Sequence, residues 1–153
     1  MTDLYSASQP KFPTPSLRVA SSERIDEAER TIVLAYRTDS PPSVLEPTIK
    51  IARQEDAAVR AVLFDTDGMA LPSVIDRSET KDLVDKLAEA GLEFDVHRAD
   101  SDVASQVLDL AEEFRAELIV MSMRRRSPML KLLLGSSAQR VILEAECPVL
   151  VVK

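Results

Sequence analysis

The chain has 153 residues, is 45% hydrophobic and 29% charged, and carries a formal net charge of −7. That length accommodates one ordinary domain with a buried core, and the composition is globular rather than disordered. The acidic balance, with a pI near 4.8, excludes a broad nucleic-acid footprint, which needs a basic face; the absence of Trp and the four Phe leave little for base stacking.

A single Cys147 and a single His97 exclude an internal disulfide, a cysteine zinc cage and a histidine-rich metal site. No apolar run approaches the roughly 20 residues that cross a bilayer. The start of the chain has no apolar stretch to act as a secretory signal. No membrane partner and a cytoplasmic location are therefore expected.

Residues 1–28 read as a polar, flexible tail ahead of a domain spanning 29–153. Pro10, Pro13 and Pro15 break any periodicity there, and Ser6, Ser8 and Ser16 add nothing to bury. Ser22 to Arg30 could form a short polar helix. From Thr31 the pattern changes. The runs Thr31–Tyr36, Ala58–Phe64, Leu118–Met121 and Val149–Val152 are almost wholly apolar, with Arg60 interrupting the second. Such runs suit strands buried on both faces of a parallel sheet. Leu92–His97 alternates instead, which fits a half-exposed edge strand and makes His97 a solvated surface residue.

Helices fill the gaps. Ser43 and Glu46 have capping-box spacing, with Leu45, Ile49 and Ala52 on one face and Pro47 in the first turn. Leu83, Val84, Leu87 and Ala90 form the next stripe, which Gly91 is placed to close. Val103, Val107, Leu110, Ala111 and Phe114 form a third. Ser136 or Ser137 can cap a fourth, carrying Val141, Ile142 and Ala145 and followed by Pro148. Cys147 reads as a small core residue. Five strands alternating with helices define an α/β domain: a doubly wound, mainly parallel sheet with helices on both faces.

Ligands of such sheets bind beyond the carboxyl ends of the strands. The longest loop there, residues 122–136, runs into the amino end of the last helix, where free N–H groups favour an anion. Ala116–Met121, the loop ending Leu132-Leu133-Leu134-Gly135-Ser136-Ser137, and Glu146–Val152 are similar, in order and spacing, to the carboxyl third of universal stress proteins. The resemblance implies strand order 3-2-1-4-5 and a homodimer through the last strand, Val149, Leu150, Val151 and Val152. The apolar character of that strand also argues for pairing with another chain.

Many members of that family bind ATP or a related nucleotide. They carry Gly-x2-Gly-x9-Gly-Ser/Thr after the fourth strand and an Asp ending the first. Here the two leading glycines fall on Ser122 and Arg125, the Asp on Arg37 and the residue after it on Thr38; Gly135 and Ser136 match. With only Gly68, Gly91 and Gly135 in the chain, no glycine-rich phosphate cradle exists. The reading is a non-enzymatic homodimeric stress-response or regulatory module whose nucleotide site is lost or weakened. No cofactor is expected, and its protein partners are unknown.

An alternative keeps ATP or AMP in a modified phosphate loop, held by Arg37, Thr38, Ser122, Arg124, Arg125, Gly135, Ser136 and Ser137, with arginines replacing glycine amides. The plainer reading of Arg124-Arg125-Arg126 is a solvated loop. A third reading starts from Val62–Gly68, which is similar to the nucleophile motif of haloacid-dehalogenase-like phosphatases. Asp65 and Asp67 would then act with Mg²⁺. Met69 and the position on the second strand argue against it, and a polar turn is the simpler meaning.

Overall fold

The computed structural model describes residues 17–38, 40, 42–64, 77–99, 102–122 and 135–152. Among them six strands form one sheet: β1 (Leu17–Ser21), β2 (Thr31–Arg37), β3 (Ala58–Phe64), β4 (Phe94–Arg98), β5 (Leu118–Ser122) and β6 (Val149–Val152). The order is β1-β4-β3-β2-β5-β6, parallel except for β1, which runs antiparallel to β4. From β2 onward this is the 3-2-1-4-5 order. The sheet has six strands rather than five because Leu17–Ser21, within the stretch read as tail, adds itself to the far edge.

Four helices connect these strands: α1 (Leu45–Glu55), α2 (Arg77–Glu89), α3 (Val103–Glu113) and α4 (Ser136–Glu144). Period-two alternation sorts the strand residues between two cores. Ile32, Leu34, Val59, Ala61, Leu63 and Val96 face α1 and α2, where they meet Leu45, Ala52, Leu83 and Leu87. Val33, Ala35, Val62, Phe64 and Ile119 face α3 and α4, where they meet Val103, Val107, Leu110 and Val141. Burial of each such Leu, Ile or Val contributes about 1.5–3 kcal/mol before chain entropy is counted. Cys147 is half-buried against the second core.

Two helix starts differ from the spacing-based expectation. A 3-10 turn, Pro42–Val44, precedes α1, so Ser43 lies inside that turn and Val44 takes the cap position without a side-chain bond. The Ser43–Glu46 capping box does not form; inside the helix, Thr48 instead donates to the Val44 carbonyl at 3.1 Å. In α4 the cap is Gly135, so Ser136 and Ser137 are the first two helical residues rather than the cap. The stretch from Ser22 to Arg30 forms only a 3-10 turn, Ile25–Glu27, pinned by a fully buried Ile25.

Gly91 closes α2 as expected. Its φ is +77°, and the Gly91 and Leu92 amides donate to the carbonyls of Ala88 and Leu87. Nothing lies within 4 Å of where a β-carbon would sit. Gly91→Ala is therefore expected to cost about 1–2 kcal/mol through backbone conformation alone, read as a shift of the urea midpoint at unchanged m-value.

β4 is an interior strand. Phe94, Asp95, Val96 and His97 are all buried, so His97 is not a solvated surface residue. β1 covers the edge that alternation assigned to solvent. Asp95 and Arg60 are Cα partners across β4 and β3, and Arg60 Nη1 donates to Asp95 Oδ2 at 2.7 Å. Arg60 Nε donates to Thr31 Oγ1 at 3.3 Å, and the guanidinium lies 3.5 Å from the centre of the Phe114 ring. His97 Nε2 lies 3.3 Å from Asp95 Oδ1. The charge that interrupts the second apolar run is thus paired inside the sheet. Among the described residues, no helix is long and apolar enough to cross a membrane.

Candidate functional site

The carboxyl ends of β2, β3 and β5 meet the amino ends of α3 and α4. Arg37, the last residue of β2, is the Cα partner of Phe64, the last residue of β3. Its side chain is buried, and the guanidinium carbon lies 6.0 Å from the centre of the Phe64 ring. The chain then turns: Thr38 N–H donates to the Phe64 carbonyl and Ser40 N–H to the Arg37 carbonyl, each at 2.9 Å. Ser40 Oγ and Ser122 Oγ, the latter at the end of β5, are 3.2 Å apart.

Arg37, Phe64, Met121, Ser122, Ser137 and Val141 are among the residues lining a cavity of about 20 Å³ at this end of the sheet. That is room for about one water molecule. Gly135 begins α4, its carbonyl accepting from Gln139 N–H at 3.0 Å. Ser136 is exposed and Ser137 buried.

The structure therefore brings Arg37, Ser122 and Ser137 around one small cavity, with Gly135 and Ser136 at the adjoining helix start and Thr38 on the turn. Arg124, Arg125, Asp65 and Asp67 lie outside the described residues. Phe64 was not among the expected site residues; the signal that could have found it is its place as the last apolar residue of its strand, level with Arg37.

The amino end of α4 carries a partial positive charge, and the buried Arg37 lies at the same end of the sheet. On the opposite side of the cleft, Asp102 caps α3 by accepting from Ser105 N–H at 3.4 Å and Ser105 Oγ at 2.8 Å. Arg140 of α4 reaches the same carboxylate at 2.7 Å, tying the two helices together. Burial pushes the Asp102 carboxyl up, but the Ser105 hydroxyl and amide and the Arg140 guanidinium outweigh it, leaving it below its ordinary value. Among the described residues no cluster of His, Cys, Asp or Glu is suited to a metal ion.

The fold and the position of this cleft define a doubly wound α/β protein with its ligand end at the switch between β2 and β5. The family model described as "Universal stress protein family" matches residues 29–153. A universal stress protein of Mycolicibacterium smegmatis is 32% identical over 125 residues, covering 80% of this chain and 96% of that protein. The chain belongs to the universal stress protein family. Among solved structures, a universal stress protein from Archaeoglobus fulgidus superposes with a TM-score of 0.60 at 28% identity, covering 81% of this chain and 98% of that one. A structure of the universal stress protein from Archaeoglobus fulgidus in complex with dAMP superposes at 0.54 with 25% identity, over the same shares of the two chains.

Proposed function

We propose that this chain is a non-enzymatic regulatory module of the universal stress protein family, acting in the cytoplasm as a homodimer, with a nucleotide site that is lost or much weakened. The observation that carries the second half is Arg37. It is buried at the end of β2, where the family's nucleotide binders carry Asp. An Asp carboxylate only accepts hydrogen bonds and an Arg only donates them. A ligand group that donates to the family carboxylate meets a donor here instead.

The homodimer reading rests on β6. Among the described residues it ends the sheet, and all four of its residues are half-buried, with Leu150 and Val152 toward one core and Val149 and Val151 toward the other. An edge so apolar pairs with another chain unless charge or proline blocks it. Ile142 and Leu143 of α4 add exposed apolar surface; Leu143 is 81% exposed.

Titration calorimetry with ATP and Mg²⁺, and with AMP, on protein freed of co-purified nucleotide, tests the site. Dissociation constants weaker than about 1 mM, less than about 4 kcal/mol of binding, are expected. Micromolar binding would overturn the lost-site reading.

A second reading, an adenine-nucleotide sensor, is favoured by the dAMP complex of the Archaeoglobus fulgidus relative and by the exposed Ser136 beside Gly135 at the start of α4. It requires that micromolar binding be found and that Arg125→Ala weaken it at least tenfold.

A further inference from the structure

The two edges of the sheet are guarded differently. β6 lies open among the described residues, whereas β4 is covered by β1, which precedes the residues 29–153 matched by the family model. β1 is antiparallel in an otherwise parallel sheet, pairing Leu17 with Arg98 and Ser21 with Asp95, with an irregularity between Arg18 and Ala20. Ser22 continues the seal: its N–H donates to the Phe94 carbonyl at 2.8 Å, and Phe94 N–H donates to Ser22 Oγ at 2.8 Å. The Ser22 hydroxyl also donates to Glu93 Oε1 at 2.7 Å. Arg18 reaches within 3.8 Å of Asp95 Oδ2.

Three of the described side chains of β1 face solvent: Arg18, Val19 and Ser21 are exposed, and Ala20 packs half-buried against the core. Its contribution is to the backbone of β4, whose donors and acceptors would otherwise form an open ladder. The sequence of β4, Phe94-Asp95-Val96-His97-Arg98, is complementary to itself. Two copies paired antiparallel about Val96 set Asp95 opposite His97 and Phe94 opposite Arg98, so acceptor meets donor and ring meets guanidinium.

We propose that β1 is a built-in guard of the β4 edge, and that the partner it holds off is the β4 strand of a second copy of this chain. A chain opened at β1 would expose the β4 ladder in place of the short, irregular β1 edge, in addition to the β6 edge. Copies would then join through β4–β4 and β6–β6 contacts in turn and grow past a closed pair. The guarding stands on β1 and β4 alone; the growth past a pair rests on the β6 dimer proposed above.

The test is the full chain carrying Arg18→Pro and Ala20→Pro, which places two prolines inside β1, where a strand tolerates them poorly. Mass is measured by light scattering, and protection of the Phe94–Arg98 amides by hydrogen exchange, in the native and Val151→Lys backgrounds. The expected result is a loss of protection and at least a doubling of mass in both backgrounds, reversed by a synthetic peptide of residues 17–30. Unchanged mass overturns the proposal. So does β4 that stays protected, because something other than β1 would then cover it. Growth that the peptide does not reverse is non-specific aggregation and also counts against it. Loss of the folded circular-dichroism signal would make β1 part of the folding core instead of a guard. If Val151→Lys alone leaves a dimer, the β6 reading fails while the proline-induced doubling still decides the guard.

Discussion

Arg60→Ala is expected to lower the stability of the fold by about 3–5 kcal/mol, the range for breaking a buried ion pair from one side. Asp95 is 1% exposed, and Arg60 Nη1 is its 2.7 Å partner. Arg18, half-exposed and 3.8 Å away, is too distant and too well solvated to replace it. The substitution also removes the guanidinium from the Phe114 ring and from Thr31. For a chain of this size the loss corresponds to a fall in Tm of the order of 10 °C, a large share of a typical total stability. Arg60→Met combined with Asp95→Leu should recover most of it, because two apolar side chains need no compensation in the interior. A cost below about 1 kcal/mol for Arg60→Ala would mean that water reaches the pair and that it behaves as a surface bridge.

Val151→Lys is expected to convert the protein from twice to once the chain mass of 16.9 kDa. Val151 sits in the middle of β6, on the side of the sheet that faces α3 and α4. A lysine there places a charge inside the strand pairing, where it could stay hydrated only if the partner strand left. Light scattering across a tenfold concentration range reads the change, and an unaltered thermal transition in dilute protein would show that the subunit itself is intact. Unchanged mass would refute the β6 interface, whatever becomes of the nucleotide reading.

The parallel strands were legible in the sequence for a physical reason. A strand covered on both faces must be apolar at every position, and β2 and β3 are such runs. β4 was misread because the same rule has a second solution. Asp95 and His97 alternate with apolar residues as an edge strand would, yet both are buried on a strand covered by β1, Asp95 paired with Arg60 and His97 Nε2 lying 3.3 Å from Asp95 Oδ1. Nothing local distinguishes a hydrated carboxylate from one paired with an arginine 35 residues earlier. β1 carries no apolar run of the two-faced kind, since Arg18, Val19 and Ser21 are exposed, and it is held to β4 by strand pairing far along the chain.

At the candidate site the sequence placed Arg37, Ser122, Gly135 and Ser137 at the carboxyl end of the sheet, where the structure has them, because loops after parallel strands converge there. The burial of the arginine, its approach to Phe64 and the cavity of about 20 Å³ depended on how β2, β3, α3 and α4 pack. The helix caps divide likewise. Gly91 was legible because a positive φ selects glycine locally. The start of α1 was not, since Ser43–Glu46 spacing cannot reveal a 3-10 turn set by the approach of the chain from β2.

By itself, then, the sequence determined the α/β class, the five parallel strands, the helix stripes and the family, all of which follow from periodicity and short-range residue chemistry. Only the tertiary structure decided which charges are buried and which edge is sealed. Each of those depends on groups far apart in the chain, whose energies change sign between water and a packed interior.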